Sequence, residues 1–206
     1  MPPRFLYFDL GNVILKFDHH RASRQMAEVA GVTAERMYQI VFETDLEARF
    51  EAGQVSEDEF CQAICRETRT QFDFERLLQA GAEIFTPNVS IFPVIGGLCG
   101  AGYRLGILSN TCSSHWAYCS GGRYKLLDRS FEVYALSYEI GCCKPAAEMF
   151  QQAAKMAGVS PEEVFYVDDT PGHVAAARAV GFDAVQYTST PQLVADLRAR
   201  GLEFNY

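Results

Sequence analysis

VFYVDDTPGHVAAARAVG, residues 164–181, holds the fold in miniature. An apolar run ends in paired carboxylates, and an alanine-rich stretch with helical spacing follows, stopping at Gly181. FLYFD at 5–9 repeats the first half, closing on Asp9 just ahead of Gly11-Asn12. RLGILS at 104–109, VYALS at 133–137 and DAVQY at 183–187 read as further buried strands. MFQQAAKMAG at 149–158 and PQLVADLRARG at 191–201 have helical periodicity, the first ending at Gly158. Ser160-Pro161-Glu162-Glu163 offers an N-cap, a proline at the first helical position and acids in the first turn. Strands alternating with helices predict a doubly wound, Rossmann-like parallel α/β sheet, its ligand site at the carboxyl ends of the strands.

Residues 15–91 break this rhythm. They hold no convincing buried strand but several helical stretches: HHRASRQMAEVAG, TAERMYQIVF and SEDEFCQAICRET, the last opening with a capping box from Ser56 to Glu59. The simplest organisation is an α/β core of 1–14 plus 92–206 interrupted by a helical cap over 15–91. At 206 residues the chain is long enough for one such domain with a modest insertion. Its start, MPPRFLYFDLG, lacks the layout of a secretory signal, so a cytoplasmic protein is expected.

Composition narrows the partners. The net charge is −8 with no basic run, which argues against nucleic acid, whose binding draws on clustered Lys and Arg. Charges or glycines interrupt every apolar run, so no membrane span is expected. Seven cysteines, odd in number and without a C-x-x-C pair, suggest neither a disulfide framework nor a zinc ribbon. Cys61 and Cys65 read as helix packing; the adjacent Cys142 and Cys143 are candidates for redox sensitivity.

Four strand ends carry polar residues that would converge if the strands lie side by side: Asp9; Ser109-Asn110-Thr111; Lys144; and Asp168-Asp169. Singly, each has an ordinary reading as a turn former, a cap or a solvated loop residue. Together and in order, FDLGNV at 8–13, LSNT at 108–111, CCKPAAEMF at 142–150 and VDDTPGHVAAARAVG at 167–181 resemble the four motifs of the haloacid dehalogenase (HAD) superfamily of hydrolases. The helical insertion after the first motif resembles that superfamily's C1 cap.

The resemblance implies a Mg²⁺-dependent phosphatase acting on a small phosphorylated molecule. Asp9 would be the nucleophile, forming an acyl-phosphate that splits one hard hydrolysis into two easier steps. Lys144 would hold both Asp9 and the phosphoryl oxygens, with Ser109 and the Asn110 backbone donating to those oxygens. Asp9, the Gly11 carbonyl and Asp169 would hold Mg²⁺, while Asp168 would orient Lys144.

One position departs from the pattern. Most phosphatases of the superfamily read D-x-D in the first motif, the second Asp serving as acid and base; here it is Gly11. DLGNV resembles a bacterial subgroup that includes sugar-phosphate phosphatases such as α-glucose-1-phosphatase, and FEAGQVSEDEF at 50–60 adds to that likeness. A 2-haloacid dehalogenase, which also lacks the second Asp but needs no metal, and a weakened phosphate-binding or regulatory protein are the alternatives. His19 or His20 is a candidate to replace the missing acid. His173 is expected to polarise the Asp169–metal shell or, more simply, to face solvent near a helix start. His115 and Trp116 are expected to line the substrate pocket, with packing between core helices as the alternative for Trp116, and Phe42, Glu43, Arg49 and Phe50 are expected to set specificity.

Overall fold

The apolar runs pair as the alternation predicts. A computed structural model describes residues 3–206; Met1 and Pro2, the start of the expected core segment and of the expected leaderless N-terminus, lie outside the described residues. The first part of the chain carries β1 (Phe5–Phe8), β2 (Leu15–Lys16), and then α1 (His19–Ala30), α2 (Ala34–Phe42), α3 (Leu46–Glu51), α4 (Glu57–Thr68) and α5 (Phe74–Ala82). Next come β3 (Thr86–Pro87), α6 (Phe92–Gly100), β4 (Leu105–Ser109), α7 (Ser113–Cys119), α8 (Lys125–Ser130), β5 (Val133–Leu136) and α9 (Ser137–Ile140). The chain finishes with α10 (Ala147–Ala157), β6 (Val164–Asp168), α11 (Pro171–Val180), β7 (Asp183–Gln186) and α12 (Thr190–Ala199).

Five strands form one parallel sheet in the order β5-β4-β1-β6-β7. The chain leaves β1 toward one edge and later returns to its other side, so β1 is the switch point where a ligand crevice opens. Phe5, Leu6, Tyr7 and Phe8 are fully buried, alternating between two apolar clusters on opposite faces of the sheet. Each such side chain contributes about 1.5–3 kcal/mol on burial. Register sets Phe8 opposite Ile107 and Val167, so the next residue, Asp9, emerges level with Asp168.

α1 to α5 have an apolar core of their own, built from residues such as Met37, Ile40, Phe50, Phe60, Ile64 and Leu77, which Cys112 at the start of α7 joins from the sheet side. The expected capping box at Ser56 and Glu59 is present. β2 and β3, too short to register as strands in the sequence, pair antiparallel where the chain enters and leaves this helical region. Asn88 ties that ladder down: its backbone N–H donates to the Ile14 carbonyl (2.9 Å) and its side-chain amide to the Val13 carbonyl (2.8 Å).

The helix expected from Ser160 is a correction. Pro161–Glu163 makes a single 3₁₀ turn with a capping box, because the fully buried β6 begins at Val164 and takes the chain into the sheet. Among the described residues no helix is long and apolar enough to cross a membrane.

Candidate active site

Lys144 organises the site. It is 3% exposed, and its Nζ donates to Asp9 Oδ1 (2.9 Å), Asp168 Oδ2 (2.7 Å), Tyr166 Oη (3.0 Å) and the Leu108 carbonyl (3.1 Å). Burial alone would pull this ammonium's pKa down; Asp9 and Asp168 more than offset that and hold it above the ordinary value. The Lys144 loop is clamped in turn by Asn110, whose side chain accepts from the Lys144 N–H (2.7 Å) and donates to the Lys144 carbonyl (3.0 Å).

Asp9 is buried at the tip of β1, its Oδ1 taken by Lys144 and by the Leu10 N–H (2.8 Å). Burial, with Asp168 and Asp169 nearby, pushes its pKa up to about 6 against the pull of Lys144. Asp168 goes the other way. Burial would raise it, but His173, Lys144 and Tyr166 bind its oxygens and hold it well below the usual carboxylate range. Thr170 N–H donates to Asp168 Oδ1 (2.8 Å), so both oxygens are committed to the protein. His173, expected in solvent or against the Asp169 shell, instead sets Nδ1 at 3.1 Å from Asp168 Oδ2, and its side chain is only 19% exposed. That is a correction, with a simple cause: the helix start at Pro171 swings residue 173 back over the strand end.

Asp169 is more open. Asn12 donates to its Oδ2 at 3.1 Å from a left-handed backbone (φ 54°), a conformation that Asn tolerates. Oxygens of Asp9, Asp168 and Asp169 all lie within 4.8 Å of one another. Three carboxylates thus face one ammonium, and with Asp168 saturated, Asp9 Oδ2 and the Asp169 carboxylate, whose Oδ1 meets only a long Thr170 hydroxyl contact (3.4 Å), make a hard-oxygen donor pair suited to a divalent cation. The Gly11 carbonyl accepts from Val13 N–H (2.7 Å), which leaves it a second lone pair.

Ser109 ends β4 beside this knot, its hydroxyl donating to the Asn110 carbonyl (3.1 Å). Gly11, Ser109, Asn110 and Thr111 line a cavity of about 40 Å³, closed from the other side by Phe17, His19, Glu51, Phe85 and His115. A second cavity of about 30 Å³ adjoins it, sharing Glu51 and His115 and lined also by Phe42, Glu47 and Phe50. Glu47 and Glu51 sit four residues apart on α3, one above the other. Burial pushes Glu47 up to about 8 and also raises Glu51; it lowers both His19 and His115, which are therefore neutral at neutral pH.

Other expectations divide. Phe42 and Phe50 do reach the second cavity, but Glu43 lines a separate groove beside Tyr38, and Arg49 lies 3.9 Å from Asp45 with its side chain half in solvent. His20 stacks on Tyr38 (4.7 Å) away from Asp9, and Trp116 packs on Tyr134 (5.1 Å). Burial pushes the Cys143 thiol up to about 11 and raises Cys142 as well, the opposite of redox activation. Sequence reasoning missed Tyr166, Asn12, Glu47 and Glu51. Tyr166 had a signal: two residues before Asp168 on a strand, it shares that residue's face.

The profile of the haloacid dehalogenase-like hydrolases matches residues 5–181, the span from β1 through α11. A D-ribitol-5-phosphate phosphatase of Bacteroides thetaiotaomicron is 28% identical over 188 residues, covering 88% of this chain and 90% of that protein. A predicted HAD-like hydrolase of Porphyromonas gingivalis superposes with a TM-score of 0.83 at 24% identity, covering 96% of this chain and 99% of the other. A HAD-family enzyme of B. thetaiotaomicron, in complex with magnesium and inorganic phosphate, gives a TM-score of 0.78 at 22% identity over 91% of this chain and 96% of its own. Structural likeness at these identities speaks for the fold, whereas the profile spans all four motifs, three of them at strand ends and the Lys144 motif, expected at a strand end too, in the loop between α9 and α10. On that ground the chain belongs to the haloacid dehalogenase-like hydrolases.

Proposed function

We propose that the protein is a metal-assisted phosphatase that hydrolyses a small phosphomonoester, a sugar or polyol phosphate, through a phosphoryl group carried transiently on Asp9. The observation that carries this reading is the convergence of Asp9, Lys144, Asp168 and Asp169 at the carboxyl ends of β1 and β6. The phosphate-ester class follows the ribitol-phosphate relative and the DLGNV likeness at 9–13. In this reading residues 15–91 are a C1-type cap over a core of 1–14 and 92–206.

The chemistry follows from the charges. Asp9 attacks phosphorus through its carboxylate, which Lys144 and the Leu10 N–H hold in place at Oδ1. Asp168 spends both oxygens on keeping Lys144, Tyr166 and His173 in place, so the ammonium is aimed rather than mobile. Ser109 and the Asn110 N–H, at the mouth of the cavity, donate to the phosphoryl oxygens as negative charge builds there. Asp9, Asp169 and the Gly11 carbonyl would hold Mg²⁺, which when bound offsets the carboxylate excess and polarises the phosphoryl group. A cavity of about 40 Å³ is far below the roughly 300–1,000 Å³ of ordinary ligand sites. In this reading the helical region, which contributes His19 and Glu51 to the cavity wall, lifts to admit a substrate and closes again to exclude water.

Phosphate release from a panel of sugar and polyol phosphates tests the reading. Wild type should be active with Mg²⁺, silent after chelation and restored by added Mg²⁺; Asp9→Asn should be inactive with an unchanged far-UV spectrum. Full activity in the chelator, or chloride release from a chloroacid in place of phosphate release, would overturn it.

A further inference from the structure

We propose that Glu51 delivers the proton to the leaving oxygen and then takes one from the attacking water, filling the role left open at Gly11. The proposal rests on the phosphatase reading above and adds to it the acid and base that the site otherwise lacks.

Position 11 is closed to a side chain. A Cβ built on Gly11 would stand 2.7 Å from Phe17 Cε1. The Phe17 ring is itself wedged between His19 (4.9 Å between ring centres) and Phe85 (6.3 Å). The acid must come from across the cavity, where the titratable side chains are His19, Glu51 and His115. His19 is committed: its ring stacks on Phe42 (4.4 Å) and its Nε2 faces Glu47 Oε1 at 3.4 Å. Both histidines are held in the neutral form by burial, which leaves them poor proton donors.

Glu51, half-buried, is fixed over the site by two contacts of its own backbone segment with the sheet side. Ser137 Oγ donates to the Glu51 carbonyl (2.6 Å) and accepts from the Thr111 N–H (2.9 Å), tying α3 to the loop after β4. Two residues on, Gly53 has a left-handed backbone (φ 65°), and a Cβ there would lie 2.3 Å from the Tyr138 carbonyl oxygen. Such an approach is open to glycine alone. The charged and titratable groups facing Glu51 are His115, Lys144, Asp9 and His173, together with Glu47, Cys112 and Cys143. Among them burial dominates and shifts Glu51 toward its protonated form, the state an acid needs on substrate arrival.

The steps balance. As Asp9 forms its bond to phosphorus, the bond from phosphorus to the ester oxygen breaks, and that oxygen takes the Glu51 proton and leaves as the alcohol. Glu51, now a carboxylate, removes a proton from water as its oxygen bonds to phosphorus; the bond from Asp9 to phosphorus breaks, phosphate departs and Glu51 is again protonated.

Leaving-group chemistry separates this role from a structural one. An alkoxide cannot depart unprotonated, whereas p-nitrophenolate can. Glu51→Gln is isosteric with the protonated acid, so the variant should fold and melt as wild type does. On the best alkyl phosphate of the panel, kcat/KM should fall about 10²- to 10⁴-fold, the usual weight of general acid catalysis. On p-nitrophenyl phosphate, kcat/KM should fall by less than about tenfold, in line with a loss of acid assistance that this leaving group barely uses. Turnover on that ester should fall further than kcat/KM, exposing a burst of nitrophenolate stoichiometric with enzyme as the unassisted water step limits. Equal losses in kcat/KM on both esters, or an undiminished rate on the alkyl phosphate, would overturn the Glu51 role and leave the phosphatase reading standing. A wild-type protein that releases phosphate from neither ester would overturn both.

Discussion

Replacing Lys144 by methionine removes one charge from the centre of the site and nearly nothing from its volume. The Nζ it deletes serves four oxygens, two of them on carboxylates, in a place where the lysine side chain is 1% exposed. Asp168 keeps Tyr166, His173 and the Thr170 N–H, but Asp9 keeps only the Leu10 N–H. Breaking a buried pair by removing one partner costs about 3–5 kcal/mol, because the surviving charge stays buried. For a domain of this size each kcal/mol moves the melting point by about 2–4 °C, so Lys144→Met should melt about 6–20 °C below wild type at pH 8 in metal-free buffer. The gap should narrow on acidification. Burial holds the Asp9 pKa at about 6 in the folded protein, above the ordinary 3.8, so its protonated form contributes stability that is complete below 3.8 and is lost as pH rises through 6. Without Lys144 that loss sets in at a higher pH, and each unit of further rise is about 1.4 kcal/mol regained on protonation. Urea or thermal unfolding of both proteins at pH 8 and pH 5 measures the difference. A variant within about 1 kcal/mol of wild type at pH 8, or a gap that widens toward pH 5, would refute the picture of a dry ammonium shared by two carboxylates.

Gly11→Asp supplies the second aspartate of a D-x-D pattern, yet it should not supply an acid. Phe17 must move to admit it, an overpacking that costs about 1–3 kcal/mol, and alkyl-phosphate hydrolysis should fall; a gain in kcat/KM would show that the ring yields freely. Gly53→Ala should lower activity on every ester and raise KM, since a methyl 2.3 Å from the Tyr138 carbonyl lifts the end of α3 from the sheet; unaltered kinetics would mean that α3 does not need that contact.

The sheet and the anionic half of the site were legible because every strand of the sheet has an apolar centre and the three central strands, β4, β1 and β6, are buried apolar runs that close on Ser109, Asp9 and Asp168. Five such strands in 206 residues, spaced by helical patterns, leave few ways to thread a parallel sheet, and the motif order brought Asp9, Lys144 and Asp168 together. Side-chain partnerships at strand ends were less legible. The Tyr166 hydroxyl and the His173 ring join Asp168 through geometry that only the packed sheet and the start of α11 create. The cavity roof was hardest to read. α3 has six residues and no sustained period, so nothing in LEARFE marks Glu47 and Glu51 as inward and Arg49 as outward. The turn at Pro161–Glu163 carries every local sign of a helix; the buried strand beginning one residue later decides against it.

The tiny ladder of Leu15–Lys16 against Thr86–Pro87 makes entrance and exit one doorway. Residues paired across such a ladder stand only about 5 Å apart, so the sheet meets the intervening helices as it would meet the tip of a hairpin. Asn88 bolts the frame to the loop behind Asp9, and what hangs from the frame is free to differ in length or shape without re-threading a single strand. A scaffold arranged in this way can keep one floor while its ceiling is exchanged, and under the proposed phosphatase reading the ceiling is where the ester's alcohol would be recognised.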